Sequence, residues 1–199
     1  MLTSGNDSSL VVDRLCDQNR GQNTAVSCFY FDFAARKEQT ATSMLGSMLK
    51  QMVSGQGGIP DDIWWVLRQE KEAVYGRKPL LADIVKMLQL ITSSQCIFMV
   101  IDALDECTAV QRFRLFDSLK EILEKSPGGR IFVTGRPYIC AEIETRLAGR
   151  VTTVSISPTR DDIVRFLRVR LSEDETPDAM DSSLEADILE KIPGSISEM

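Results

Sequence analysis

The sequence contains no histidine, and this single absence removes several kinds of active site. Serine–histidine and cysteine–histidine nucleophiles, histidine metal ligands and histidine proton shuttles are all excluded. The five cysteines stand at positions 16, 28, 96, 107 and 140 and never form a C-x-x-C pair. Their number and scatter predict free thiols in a reducing compartment rather than a disulfide framework.

Positive charge and long apolar runs are also scarce. Lys and Arg number 23 against 29 Asp and Glu, a net charge of -6, so general nucleic-acid binding has no electrostatic basis. No apolar stretch approaches the length of a membrane span, and "MLTSGNDSSLVV" lacks the features of a secretory signal. With 43% hydrophobic and 26% charged residues, the composition predicts a globular cytoplasmic protein that binds neither nucleic acid nor membrane.

Two hydrophobic periods alternate along the chain. Strand-like runs occupy residues 24–33, 96–101, 130–134 and 150–156, and helical patterns occupy 39–53, 63–72, 80–91, 110–126, 142–147, 159–171 and 183–192. This rhythm predicts an α/β fold with a parallel sheet and helices on both faces. The unbroken apolar runs "IFMVI" and "RIFVT" predict strands buried on both sides. We expect a main domain over residues 1–171 and an acidic connection to a second region over 172–199.

Three acids follow the strand in "CIFMVIDALDEC", where Asp102, Asp105 and Glu106 crowd its carboxyl end. Ligands of parallel sheets gather beyond this end of the strands. One carboxylate there can hold a hydrated Mg²⁺, and a second can orient an attacking water. The alternative is that these acids only cap the next helix.

A second strand ends in "FVTGRP", which places Thr134 and Arg136 at a neighbouring tip. An arginine in this position can reach a terminal phosphate, whereas an arginine considered alone is more typical of a surface salt bridge. The two strand ends together favour a nucleotide site.

These motifs resemble those of a known family. "FMVIDALDE" resembles the Walker B motif of NACHT-type STAND NTPases, and "RIFVTGRP" resembles their sensor-1 strand. The similarity is greatest to fungal members, in the nephrocystin-3-like N-terminal domain. "SCFYFDF" and "QTATSMLGSMLKQM" resemble its second strand and helix, and "ILEKIPGSISEM" resembles the stretch before its helical lid.

The resemblance implies a P-loop-NTPase-like fold with ATP and Mg²⁺ as cofactors, and a conformational switch coupled to slow hydrolysis. It implies that Asp102 holds Mg²⁺ through water and that Asp105 and Glu106 position the attacking water. Arg136, with Thr134 on the same strand end, is implied to sense the phosphate. Family members usually carry an effector domain before this region and ankyrin or WD repeats after it.

The family's phosphate-binding loop, G-x-x-G-x-G-K-[ST], does not occur in the sequence. "SSLVVDRL" resembles the helix that follows this loop. Losing the loop's charge-assisted bonds costs about 4.5 kcal/mol, which weakens a micromolar site to about millimolar. The sequence therefore predicts a fragment or degenerate relative with little or no hydrolysis. The first, P-loop strand is also expected to be missing, which leaves the Walker B and sensor strands without the partner between them unless another segment fills its place.

Two other functions are considered. The first is a non-enzymatic interaction module, in which Trp64 and Trp65 of "IPDDIWWVL" anchor an interface or simply pack on the sheet. Its protein partners would be full-length relatives or further copies of the chain. The second is a metal-dependent phosphatase, which needs further carboxylates at the strand tips. Asp32 is the one obvious candidate, and its position is more typical of a residue that faces a polar edge or caps the turn into the next helix.

Overall fold

A computed structural model describes residues 5–55, 79–147, 149–173 and 181–197. The chain divides into two compact units, Met1–Val151 and Thr152–Met199, and the first contains the sheet. The predicted division at residue 171 stays a prediction. The predicted helix over 63–72, with Trp64 and Trp65, lies outside the described residues.

The described part of the first unit alternates helices and strands. Its elements are α1 (Gly5–Gln18), β1 (Thr24–Tyr30), α2 (Ala41–Ser54), α3 (Leu81–Ser94), β2 (Cys96–Asp102), α4 (Ala109–Glu124), β3 (Gly129–Val133) and α5 (Cys140–Arg146). The three strands form a parallel sheet in the order β1-β2-β3. None of the described helices is long and apolar enough to cross a lipid bilayer.

Helices cover both faces of this sheet, which confirms the predicted α/β class. On one face, α2, α3 and α4 pack against the alternate β2 residues Ile97, Met99 and Ile101. The helical side of this core is made by residues at the predicted spacing, including Met44, Leu45, Met48, Leu88, Leu115, Phe116 and Leu119. On the other face, α1 contacts β1 and β2, and the side chain of Tyr30 hydrogen-bonds to Ser9 of α1.

The expected gap between the Walker B-like and sensor-like strands is wrong, because β2 and β3 pair directly. Their register runs from Ile97 opposite Gly129 to Ile101 opposite Val133. The Thr134 N–H continues the ladder by donating to the Ile101 carbonyl at 2.9 Å. The crossover through α4 therefore joins adjacent strands, and β3 is the edge of the sheet within the described residues.

Two further predictions about strands are wrong. β3 is only half-buried rather than covered on both sides, because it lies at this edge, whereas most of β2 is buried. Residues 151–159 have no regular secondary structure instead of the predicted strand over 150–156. Val154 and Ile156 are 75% and 80% exposed, and no neighbouring strand among the described residues pairs with this segment.

The second unit contains α6 (Arg160–Ser172) and α7 (Ser182–Ser197), both predicted from their patterns. α6 begins with a capping box in which Thr159 and Asp162 bond each other's backbone N–H groups. The hydrogen bonds from Thr159 also lower the pKa of Asp162. The helices pack against each other.

Candidate functional site at the strand ends

Asp102 and Thr134 join the ends of the two neighbouring strands. Asp102 is the last residue of β2 and is 4% exposed. The Thr134 hydroxyl donates to Asp102 Oδ1 and accepts from the Ala103 N–H at 3.0 Å. A buried carboxylate needs such donors, since it has lost those of water. The hydroxyl therefore fixes the carboxylate and the turn that follows it.

The backbone reverses sharply at Ala103, which has φ 53° and ψ 46°. This left-handed conformation costs a residue with a Cβ about 1–2 kcal/mol. It allows the Leu104 N–H to donate to the Thr134 carbonyl at 3.0 Å. A one-turn helix, Leu104–Glu106, follows, and the fully buried Leu104 anchors it in the core.

Arg136 binds both acids of this short helix. Its Nε lies 3.3 Å from Asp105 Oδ2, and its backbone N–H donates to Asp105 Oδ1 at 3.3 Å. Its Nη2 lies 3.8 Å from Glu106 Oε1. The Tyr138 hydroxyl donates to the Asp105 carbonyl at 3.2 Å. Arg136 therefore compensates the charge of the acid pair, which is the salt-bridge alternative considered for it.

An ion pair between α4 and α5 fixes the far end of the acidic turn. Arg112 Nη1 donates to the Cys107 carbonyl at 2.9 Å, and Arg112 Nε donates to Glu142 Oε2 at 2.8 Å. The Arg112 side chain is 11% exposed. The turn from Asp102 to Cys107 is thus held at one end by Thr134 and at the other by Arg112.

An open cleft of about 470 Å³ lies beside the acids. Its lining comprises Phe33, Arg36, Asp105, Glu106, Arg136 and Tyr138. Three of these residues were not predicted from the sequence: Phe33, Arg36 and Tyr138. The one feature of the sequence that could have indicated them is their position, since each follows the carboxyl end of β1 or β3 within a few residues. Arg36 Nε is buried without a hydrogen-bond partner among the described residues.

The strand ends do not form a multi-carboxylate metal centre. Across the described ranges, no three Cys, Asp or Glu side chains converge as a metal-binding group. Asp32 is exposed, and its Oδ1 accepts the Ala34 N–H at 2.8 Å. The turn-capping interpretation of Asp32 is therefore confirmed, and the metal-phosphatase hypothesis loses its additional ligand.

Cys107 is the most shielded thiol near the site. It is 2% exposed, and burial raises its pKa to about 11, although Arg112 and Arg36 oppose the rise. The thiolate is the reactive form, so Cys107 is expected to resist alkylation at pH 8 while the exposed Cys16 reacts. Mass spectrometry of protein treated with N-ethylmaleimide, native and in urea, would check this. Rapid native labelling of Cys107 would contradict the burial.

The three strands also lie in the part of the chain that matches a known protein family. A family model described as Nephrocystin 3, N-terminal, matches residues 8–136, well over half of the chain. The chain belongs to this family. The matched span of this nephrocystin 3 N-terminal domain contains all three strands and ends at Arg136. Comparison with curated proteins found none that matches the chain.

The nephrocystin 3 N-terminal domain thus brings all five predicted site residues to two adjacent strand ends. Thr134 contacts Asp102, and Arg136 contacts Asp105 and Glu106. The parallel direction of β2 and β3 causes this, since their carboxyl ends meet at one edge of the sheet. The nephrocystin 3 resemblance in the sequence is confirmed by the family match.

Proposed function

We propose that this domain is a fragment or degenerate form of a NACHT-type signalling NTPase, with little or no ATP hydrolysis by itself. In this proposal, "FMVIDALDE" is the Walker B motif and "RIFVTGRP" is the sensor-1 strand. The observation that carries the proposal is the ion-paired cluster of Asp105, Glu106 and Arg136 beside a buried Asp102. The cluster has the residues of a nucleotide site, while the sequence has no phosphate-binding loop.

The residues present are better suited to holding Mg²⁺ than to binding the phosphates of ATP. Asp102 ends a strand and has one oxygen fixed by Thr134, a geometry suited to holding Mg²⁺ through a water. The phosphates of ATP need several backbone N–H groups and a lysine, and the sequence has no motif that presents them. We therefore expect this chain alone to bind ATP only weakly, and no hydrolytic step is assigned to it.

The proposed sensor role of Arg136 requires it to leave the acids. Its side chain is 55% exposed, whereas the side chain of Asp105 is only 6% exposed, so releasing the guanidinium leaves charge on a buried carboxylate. A phosphate must therefore outweigh this cost through its own charge-assisted hydrogen bonds to the guanidinium. When no phosphate is bound, Arg136 compensates the negative charge of Asp105 and Glu106.

This proposal predicts weak nucleotide binding without turnover. Isothermal titration with Mg²⁺ and ATP is expected to give a Kd near millimolar, by the loss of the loop's bonds. A phosphate-release assay is expected to stay at background for the wild-type chain, for Glu106→Gln and for the exposed control Glu124→Gln. Turnover that Glu106→Gln abolishes and Glu124→Gln preserves would refute the inactive state.

We further propose that the domain acts in the cytoplasm and binds protein partners, either full-length relatives or other copies of itself, rather than nucleic acid. The five free cysteines support a reducing location, and the net charge of -6 disfavours nucleic acid. Gel-mobility assays with single- and double-stranded nucleic acid are expected to show no binding. A shift at physiological salt would contradict the proposal.

A further inference from the structure

Arg36 lies in the loop between β1 and α2, and hydrogen bonds hold this loop at both ends. Near its start, the Asp32 N–H donates to Gln39 Oε1 at 3.1 Å. At the start of α2, the Ala41 N–H donates at 3.0 Å to Oε1 of Gln111, which belongs to α4. The backbone that carries Arg36 is therefore fixed against the helix that follows the acidic turn.

The Arg36 side chain is turned into the protein rather than extended into solvent. The residue is half-buried, and its Nε is fully buried without a hydrogen-bond partner among the described residues. The charge of Arg36 opposes the rise in the pKa of the Cys107 thiol, so the guanidinium lies near the end of the acidic turn. A buried donor that has lost water and gained no acceptor is destabilising. Arg36 would therefore be stabilised by a carboxylate that it could reach.

The charges that line the cleft are unequally paired. Two are positive, on Arg36 and Arg136, and two are negative, on Asp105 and Glu106. Arg136 contacts both carboxylates, whereas Arg36 forms no salt bridge with a described acid. The Asp105 side chain is only 6% exposed, so water cannot replace a counter-ion there. One guanidinium thus serves two carboxylates while a second lines the same cleft.

We propose that Arg36 is a second counter-ion for Asp105 and Glu106, which takes the place of Arg136 whenever that guanidinium leaves them. This inference rests on the proposed sensor role of Arg136 and names the residue that lowers the cost of its release. Exchanging one guanidinium for the other keeps the buried carboxylate compensated. The same movement gives the buried Arg36 Nε an acceptor.

A double-mutant cycle on the full chain tests this exchange, because Arg136→Gln imitates the departure of the guanidinium. Arg36→Gln alone is expected to change the melting temperature by less than about 2 °C, since Arg36 has no partner while Arg136 is present. Arg136→Gln alone is expected to lower it by less than about 4 °C, since Arg36 takes over. The double variant is expected to lose about 8 °C or more, because both acids then lack a counter-ion.

Three further variants show whether charge causes the excess loss. Arg114→Gln removes an exposed cation of α4, and its effect is expected to add simply to that of Arg136→Gln. Arg36→Lys keeps the positive charge and is expected to avoid most of the excess loss in the Arg136→Gln background. In an Asp105→Asn background, the excess is expected to largely disappear, because the buried charge is gone. A purely structural contribution of Arg36 would not depend on that charge.

A crystal structure of the Arg136→Gln variant observes the exchange directly. A guanidinium nitrogen of Arg36 is expected within about 4 Å of a carboxylate oxygen of Asp105 or Glu106. Additive losses in the cycle, or an Arg36 side chain that has not moved toward the acids in this variant, would overturn the inference. Neither measurement uses a nucleotide, so such a result would leave the expected weak ATP binding in place. A wild-type chain that binds no ATP would instead refute the nucleotide proposal, while the cycle would still decide whether Arg36 is the second counter-ion.

Discussion

The Thr134→Val variant is expected to lose about 3 kcal/mol of unfolding free energy, because it removes one hydroxyl that serves both a buried carboxylate and the backbone of the half-buried Ala103. That hydroxyl donates to Asp102 Oδ1 and accepts from the Ala103 N–H. Valine has nearly the shape of threonine, so packing is preserved and the loss measures the hydrogen bonds. Urea unfolding followed by circular dichroism would give the difference.

Two matched variants make this prediction specific. Thr134→Ser keeps the hydroxyl and is expected to lose less than about 1 kcal/mol. Thr145→Val removes an exposed hydroxyl that bonds only within α5 and is expected to change stability by less than about 0.5 kcal/mol. In an Asp102→Asn background, the cost of Thr134→Val is expected to fall, since a neutral amide needs the donor less than a carboxylate does. Equal losses for Thr134→Val and Thr134→Ser would show that the hydroxyl contributes nothing.

Leu104→Ala is expected to lower the unfolding free energy by about 3 kcal/mol, as large-to-small changes in a core do. Leu104 is fully buried although it lies in the turn between Asp102 and Asp105. The cavity would form directly beneath the acidic turn, where the surrounding core cannot close it without moving Asp105. Chemical denaturation would measure the loss.

The controls for Leu104 separate cavity formation from general disturbance of the turn. Leu104→Met conserves volume and is expected to cost less than about 1.5 kcal/mol. Val110→Ala, at an exposed position, is expected to stay within about 0.5 kcal/mol of wild type. If Leu104→Ala were as harmless as Val110→Ala, Leu104 would not anchor the turn.

Local patterns predicted most of the elements. Met44, Leu45, Met48 and Met52 follow a 3.6-residue period, and all four are buried on α2. Asp102 and Thr134 also came from local pattern, because each directly follows an apolar run and parallel strands bring such ends together. The existence of the cluster could therefore be predicted from sequence.

Local patterns could not predict which strands pair with each other or which residues line the cleft. The pairing of β2 with β3 depends on contacts between distant segments, which no local period encodes. The strand expected over 150–156 has the right residues, yet a strand also requires a neighbour to bond with. Phe33, Arg36 and Tyr138 enter the cleft through the path of the loops after β1 and β3, where the sequence carries only positional information.

The direct pairing of β2 with β3 has a consequence for the order of folding. Residues paired between β2 and β3 are about 30 positions apart along the chain, whereas those paired between β1 and β2 are about 70 apart. Closing the longer loop costs about 0.7 kcal/mol more entropy. The β2–α4–β3 segment is therefore expected to nucleate the sheet, with β1 joining after the transition state. Conservative substitutions at Ile101 should then slow folding, and those at Ala25 should chiefly speed unfolding.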